Sequence, residues 1–204
     1  HPGYRDIFPI RSVEPVLQFF APVLVRLMKE LTLVAHVRFW ILLTIGYALW
    51  ELAKDPNLRI LIYSDSATKA AGFLSGIKFH IEGKAANSKF REVYGAWESD
   101  PHKGGIYNES RITVSVREHE SKEPSVDTCG IDQSKVGLHY DLVLYDDIVT
   151  DLNCTTKAQM DKVYDCYRKS LSLLKRGGKV VILGTRWSFG DTYGRIAKDN
   201  EDTG

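Results

Sequence analysis

Cysteine is scarce: the chain has three, Cys129, Cys154 and Cys166, odd in number and at none of the close paired spacings that bind zinc or run thiol exchange. A disulfide framework is excluded, and a reducing compartment is the simplest setting. No apolar run is long enough for a bilayer. The longest, Phe39 to Trp50, falls short of the ~20 residues a spanning helix needs and is bounded by Arg38 and Glu51, so it reads as a buried helix. Charge of one sign is lacking too. The 27 Lys and Arg face 26 Asp and Glu, net +1, so contact with nucleic acid would have to come from a local patch and not from a global field. What is there is ordinary: 44 % hydrophobic and 26 % charged residues over 204 positions, a globular composition that excludes disorder and collagen-like repeats. The chain opens on His1 without a signal-peptide pattern and stops at Asp199–Gly204 without a closing element, so it reads as a piece of something longer.

Four short runs have strand character: Arg59–Ser64, Ile112–Val116, Asp141–Tyr145 and Lys179–Leu183. Three are almost continuously apolar, as in strands of a parallel sheet covered on both faces by helices. Helical segments fill the gaps. From Thr155 the apolar positions Met160, Val163, Tyr164, Tyr167, Leu171 and Leu174 recur at three- and four-residue steps, with Asn153 or Thr155 as cap and Lys175-Arg176-Gly177-Gly178 as a basic last turn and glycine stop. A second helix spans about Ile41 to Lys54, closed by Asp55-Pro56-Asn57. A third starts near Ser66 with Ala70, Phe73, Leu74 and Ile77 on one face. Residues 98–110 read as a surface loop and 118–137 as a polar connection. The expected fold is α/β, a mainly parallel sheet with helices on both faces.

Ligands of such sheets bind where the strands' carboxyl ends meet. Ser64-Asp65-Ser66, Asp146-Asp147 and Gly184-Thr185-Arg186-Trp187 would therefore share one edge. The acidic pair is the sharpest feature. Four apolar residues followed by two carboxylates match a nucleotide hydrolase, in which the first holds Mg²⁺ and the second orients or deprotonates the attacking water. The plain alternative is a strand that ends in a solvated Asp-Asp turn. His36, His80, His102, His119 and His139 show no metal-ligand spacing and read as surface or packing residues.

The blocks Lys122–Val126, Gly137–Val149, Gly177–Trp187 and Asp191–Arg195, in that order and spacing, together with Leu43–Trp50, Arg59–Ser66 and Phe90–Gly95 upstream, resemble the ATPase domain of the large terminase subunit of tailed bacteriophages. The resemblance covers roughly residues 38–196. It implies a P-loop NTPase fold of the RecA-like (ASCE) type and a motor coupling ATP hydrolysis to packaging of double-stranded DNA into a procapsid. ATP and Mg²⁺ are the implied cofactors. Implied partners are duplex DNA, portal protein, the small terminase subunit and further copies in a ring, in the cytoplasm of an infected bacterium. Residues 1–204 would be one motor domain, without the RNase H-like nuclease domain that family members usually carry. Carried over, Asp146 is the metal carboxylate and Asp147 the catalytic acid, where many relatives have Glu. Gly184, Thr185 and Arg186 fall in the coupling motif, with Arg186 reaching phosphate or a neighbouring subunit unless it is structural.

The departure lies in the phosphate loop. Such a loop needs glycines whose N–H groups close around phosphates, then Lys and Ser or Thr. The corresponding stretch, Leu33–Thr44, has no Gly and no Lys. Arg38 marks a surviving arginine, Arg26 and Lys29 are neighbouring cations, and the apolar segment 13–41, interrupted by Pro15 and Pro22, does not resemble the family. Two other readings follow. One is a non-catalytic descendant of the motor that binds DNA or partner subunits. The other is an S-adenosylmethionine-dependent methyltransferase, for which Leu173–Leu183 is a familiar helix, turn and strand but the Gly-rich loop is missing.

Overall fold

The computed structural model of the chain describes residues 33–85, 89–101, 105–187 and 190–202, with side chains between 43 and 201. The chain divides into two compact units, 1–42 and 43–204; the sheet and the site belong to the second. In order the elements are α1 (Leu33–Lys54), β1 (Ile60–Ser64), α2 (Ala67–Ile81), the short α3 (Phe90–Tyr94), β2 (Arg111–Ile112), β3 (Val126–Gly130), β4 (Tyr140–Asp146), α4 (Lys157–Ser170), β5 (Leu174–Leu183) and α5 (Thr192–Asp202). Among the described residues no helix is long and apolar enough to cross a membrane.

The sheet has the order β2-β3-β1-β4-β5. β1 pairs in parallel with β3 and β4, β4 in parallel with β5, and only β2 runs antiparallel, against β3. The carboxyl ends of four strands therefore lie along one edge. Period-2 alternation sends neighbouring side chains into different cores. Ile60, Ile62, Leu142 and Leu144 pack with Ile45, Ala48, Leu49 and Leu52 of α1 and with Phe73, Leu74 and Ile77 of α2. Leu61, Tyr63, Val143 and Tyr145 pack with Val163 and Tyr167 of α4 and Ile196 of α5. Each fully buried Leu or Ile stabilises the fold by roughly 1.5–3 kcal/mol relative to exposure. An α/β fold with helices on both faces of a mostly parallel sheet is what the apolar strand runs predict.

Local chemistry sets the helix starts. Ser66 caps α2, its hydroxyl accepting from the Lys69 amide, and Thr156 caps α4 in a reciprocal capping box with Gln159. The differences from expectation are instructive. α4 ends at Ser170 and a 3-10 turn follows over Leu171–Leu173. Lys175–Gly178 then opens β5 where a helix stop was expected, bulging out between the pairs Tyr140↔Leu174 and Leu142↔Lys179. β3 lies inside the supposed polar connection, because Asp127 is buried with its charge met by Lys135 at 2.7 Å and by the Tyr140 hydroxyl at 2.6 Å. The expected strand at Ile112–Val116 shrinks to Arg111–Ile112, and Tyr107 forms an isolated antiparallel bridge with Ile112. The tail is helical as far as Asp202. Of the 13–41 segment, residues 13–32 with Pro15, Pro22, Arg26 and Lys29 lie outside the described residues, as does His102.

Candidate functional site

The acidic pair stands at the end of a central strand. Tyr145 belongs to the α4 core, so alternation turns Asp146 to the α1 face, where Thr44 is fully buried. The Thr44 hydroxyl donates to Asp146 Oδ2. Thr44 is held there by its own helix, since Ala48 and Leu52, one and two turns further on, are the residues that press α1 onto the sheet. Asp146 is 4 % exposed. Burial pushes its carboxyl up to about 6; the Thr44 bond works against the rise and the neighbouring Asp147 charge adds to it.

Asp147 continues the ladder for one bond, its amide donating to Leu183 O at 2.9 Å, and then takes φ 48°, the left-handed region. Asp tolerates that region better than most residues, but the conformation is still strained. The two carboxylates have different neighbours, Thr44 for Asp146 and Lys69, Asp65 and the Thr185 amide for Asp147. Burial raises the Asp147 pKa as well. Lys69 and the Thr185 amide, which donates to it, lower it, and the Asp65 charge raises it.

β1 contributes the rest of this edge. The Ser64 hydroxyl lies 3.5 Å from Asp65 Oδ1, and Asp65 pairs with the exposed Lys69 at 2.7 Å. From β5, the pairing of Asp146 with Leu183 brings Gly184 and Thr185 alongside the acids. A side chain at Gly184 would collide with the Tyr193 ring, whose hydroxyl accepts from the Val149 amide at 3.4 Å. Arg186 is placed beside Asp191. Its Nε lies 3.9 Å from Asp191 Oδ1, and Asp191, fully buried, also accepts from the amides of Gly194 and Trp187 at 2.8 and 2.7 Å. Arg186 thus faces the start of α5. Arg38 falls on α1, where its side chain is outside the described ones.

The structure therefore brings Asp146, Asp147, Gly184 and Thr185 together and leaves Arg186 with Asp191. Asp65 lies on the same edge, as expected, and the structure adds Thr44 and Lys69. Thr44 carried one usable signal, its place at the foot of the Leu42-Leu43-Thr44 run facing the same helix side as Ala48. Lys69 carried none, being one more charge on a helix. No protein-family model and no curated protein matches the chain.

Proposed function

We propose that the chain is an ATPase motor domain of the terminase large-subunit type, acting on double-stranded DNA in a homo-oligomeric ring with portal and small-subunit partners. Asp146 is the metal carboxylate, Asp147 the acid that orients or deprotonates water, and Gly184-Thr185 the segment that couples hydrolysis to DNA movement. One observation supports this most: a buried hydroxyl on α1 bonded to the first of two carboxylates at the end of a central parallel strand.

The oxygen donors fit a magnesium ion. Mg²⁺ keeps several waters and is usually held by one or two carboxylates together with phosphate oxygens, so the absence of a group of three His, Cys, Asp or Glu ligands among the described residues does not count against it. Asp146 and the Thr44 hydroxyl would hold it, and the ion would neutralise charge on a bound triphosphate. The residues themselves do the remainder. The Thr185 amide donates to the Asp147 carboxylate, and burial raises the basicity of that carboxylate, the direction a water-orienting base requires.

A phosphate cradle of the P-loop kind does not fit: Leu33–Thr44 lacks its Gly and Lys and the stretch is part of one helix, Leu33–Lys54. That helix favours a second reading, a terminase-like fold that has lost nucleotide chemistry and retains DNA or subunit binding. Fluorescent ATP binding with and without Mg²⁺, together with phosphate release, decides between them. The motor reading expects Mg²⁺-dependent binding, a loss of hydrolysis of about 100-fold or more in Asp147→Asn with binding kept, and weakened binding in Asp146→Asn. No binding at all selects the second reading, and binding of S-adenosylmethionine overturns both.

A further inference from the structure

The amino edge of the sheet, opposite the acidic pair, carries a cavity of about 590 Å³ walled by residues 99, 105–106, 113–115 and 117–122. That volume is in the range of small-molecule sites. Two cations, Arg117 and Lys122, are on its wall, and neither is spent on a carboxylate among the described residues. Arg117 donates through one terminal nitrogen to the Glu123 backbone carbonyl at 2.7 Å, while its Nε is buried and has no hydrogen-bond partner. Lys122 donates to the Gly137 backbone carbonyl at 2.8 Å.

The nearby acids are committed elsewhere. Arg59 takes both oxygens of Asp141, at 2.8 and 3.0 Å, and lies 3.5 Å from Glu123 Oε2. The other Glu123 oxygen accepts from the His139 amide at 3.0 Å. Glu118 and Glu120 also line the cavity and are exposed, where water screens them. The half-buried Arg117 guanidinium is within electrostatic reach of Glu123, Asp141 and Asp55 and of the like charge of Arg59, yet it hydrogen-bonds to no carboxylate among the described residues and its Nε is unmet, whereas buried donors are nearly always met. The cavity wall is pinned at Glu118 and His119, whose amides both donate to Asn57 Oδ1 at 3.0 Å.

We propose that this cavity binds a small molecule through an oxyanion group, carboxylate or phosphate, with Arg117 as the anchoring residue and Lys122 as the second cation. A planar fork of donors suits either group, which it meets with paired hydrogen bonds. The two glutamates at the rim favour a ligand whose charge is concentrated at one end. The site is independent of the nucleotide reading, because it shares no residue with the acidic edge.

The test is NMR on the full chain, following the Arg117 Nε–Hε signal and the amides of Ser115 and Lys122. Inorganic phosphate and malonate are titrated separately, with chloride at matched ionic strength as control. The proposal expects a saturable shift with phosphate, malonate or both, the tighter of them identifying the group, and none with chloride. Arg117→Gln should weaken binding at least tenfold, the scale of one charge-assisted contact, and Lys122→Gln less. Ser115→Trp, which fills the cavity and leaves both cations in place, should block binding even if Arg117→Gln disturbs the fold. Absence of a saturable shift with both probes overturns the proposal. So does unchanged affinity in Arg117→Gln and Ser115→Trp.

Discussion

The two edges of the sheet treat their carboxylates in opposite ways. At the amino edge Arg59 clamps Asp141 with two nitrogens and reaches Glu123, and Lys175 adds a contact to Asp141 at 3.2 Å. Burial works against ionisation of Glu123, but the Ser121 hydroxyl, the backbone amides of His139 and Glu123, and the Arg59 charge together hold it down at about 2. Asp141 is lowered too. At the carboxyl edge burial weighs on Asp146 and Asp147 with less to offset it, and both are raised. A fold that can neutralise acids at one edge and leaves them short of positive charge at the other has the two edges doing different jobs. The amino-edge acids stabilise, whereas the carboxyl-edge pair costs stability, which is what the proposed metal site expects of it.

The largest effect should come from Arg59→Met. It leaves Asp141 with the backbone amide at position 59 and the exposed Lys175 and Glu123 with its uncharged donors Ser121 and the His139 amide, and losing one partner of a mostly buried pair costs about 3 kcal/mol, read from urea unfolding at neutral pH. Next is Asp146→Asn, with the opposite sign. Because the folded-state pKa of Asp146 is raised from 3.8 to about 6, the folded chain holds more protons than the unfolded one between those values. Its contribution to stability therefore falls as pH rises through that window. A neutral Asn removes a penalty of up to about 3 kcal/mol, so the variant should be more stable than the parent above pH ~6 and indistinguishable from it below pH ~4. Glu123 runs the other way: its contribution is present above its ordinary value near 4.5 and is lost as pH falls through about 2. Smallest is Lys69→Met. The ion pair with Asp65 is exposed on the lysine side, and removing it should change stability by less than about 0.5 kcal/mol. A Lys69→Met loss as large as that of Arg59→Met would end the contrast between the edges.

Where a residue's environment is set by its neighbours in sequence, the sequence was enough to place it. The strands β1 and β4, the face of α2 made by Ala70, Phe73, Leu74 and Ile77, and the meeting of Asp146, Asp147, Gly184 and Thr185 all follow from apolar runs and from what succeeds them. Where the environment is assembled from distant parts of the chain, reading failed. β3 reads as part of a polar connection because its Asp127 is charged, and its burial depends on Lys135 and Tyr140, pairings no local window contains. Lys175–Gly178 looked like a helix stop because basic residues before glycines do end helices, yet Leu174 pairs with Tyr140 and draws the segment into the sheet. Thr44 required knowing that α1 lies across the end of β4, and Arg186 required knowing where Asp191 is buried.

Whether the carboxyl edge is held for a cation is most directly tested by titrating Mn²⁺, a magnesium substitute that broadens nearby NMR signals. The account predicts saturable broadening centred on Thr44, Ser64, Asp146, Asp147 and Thr185, absent in Asp146→Asn, with the amino-edge signals of Arg59 and Glu123 unaffected. Broadening that centres on the exposed Glu118 and Glu120, or that persists unchanged in Asp146→Asn, would contradict it.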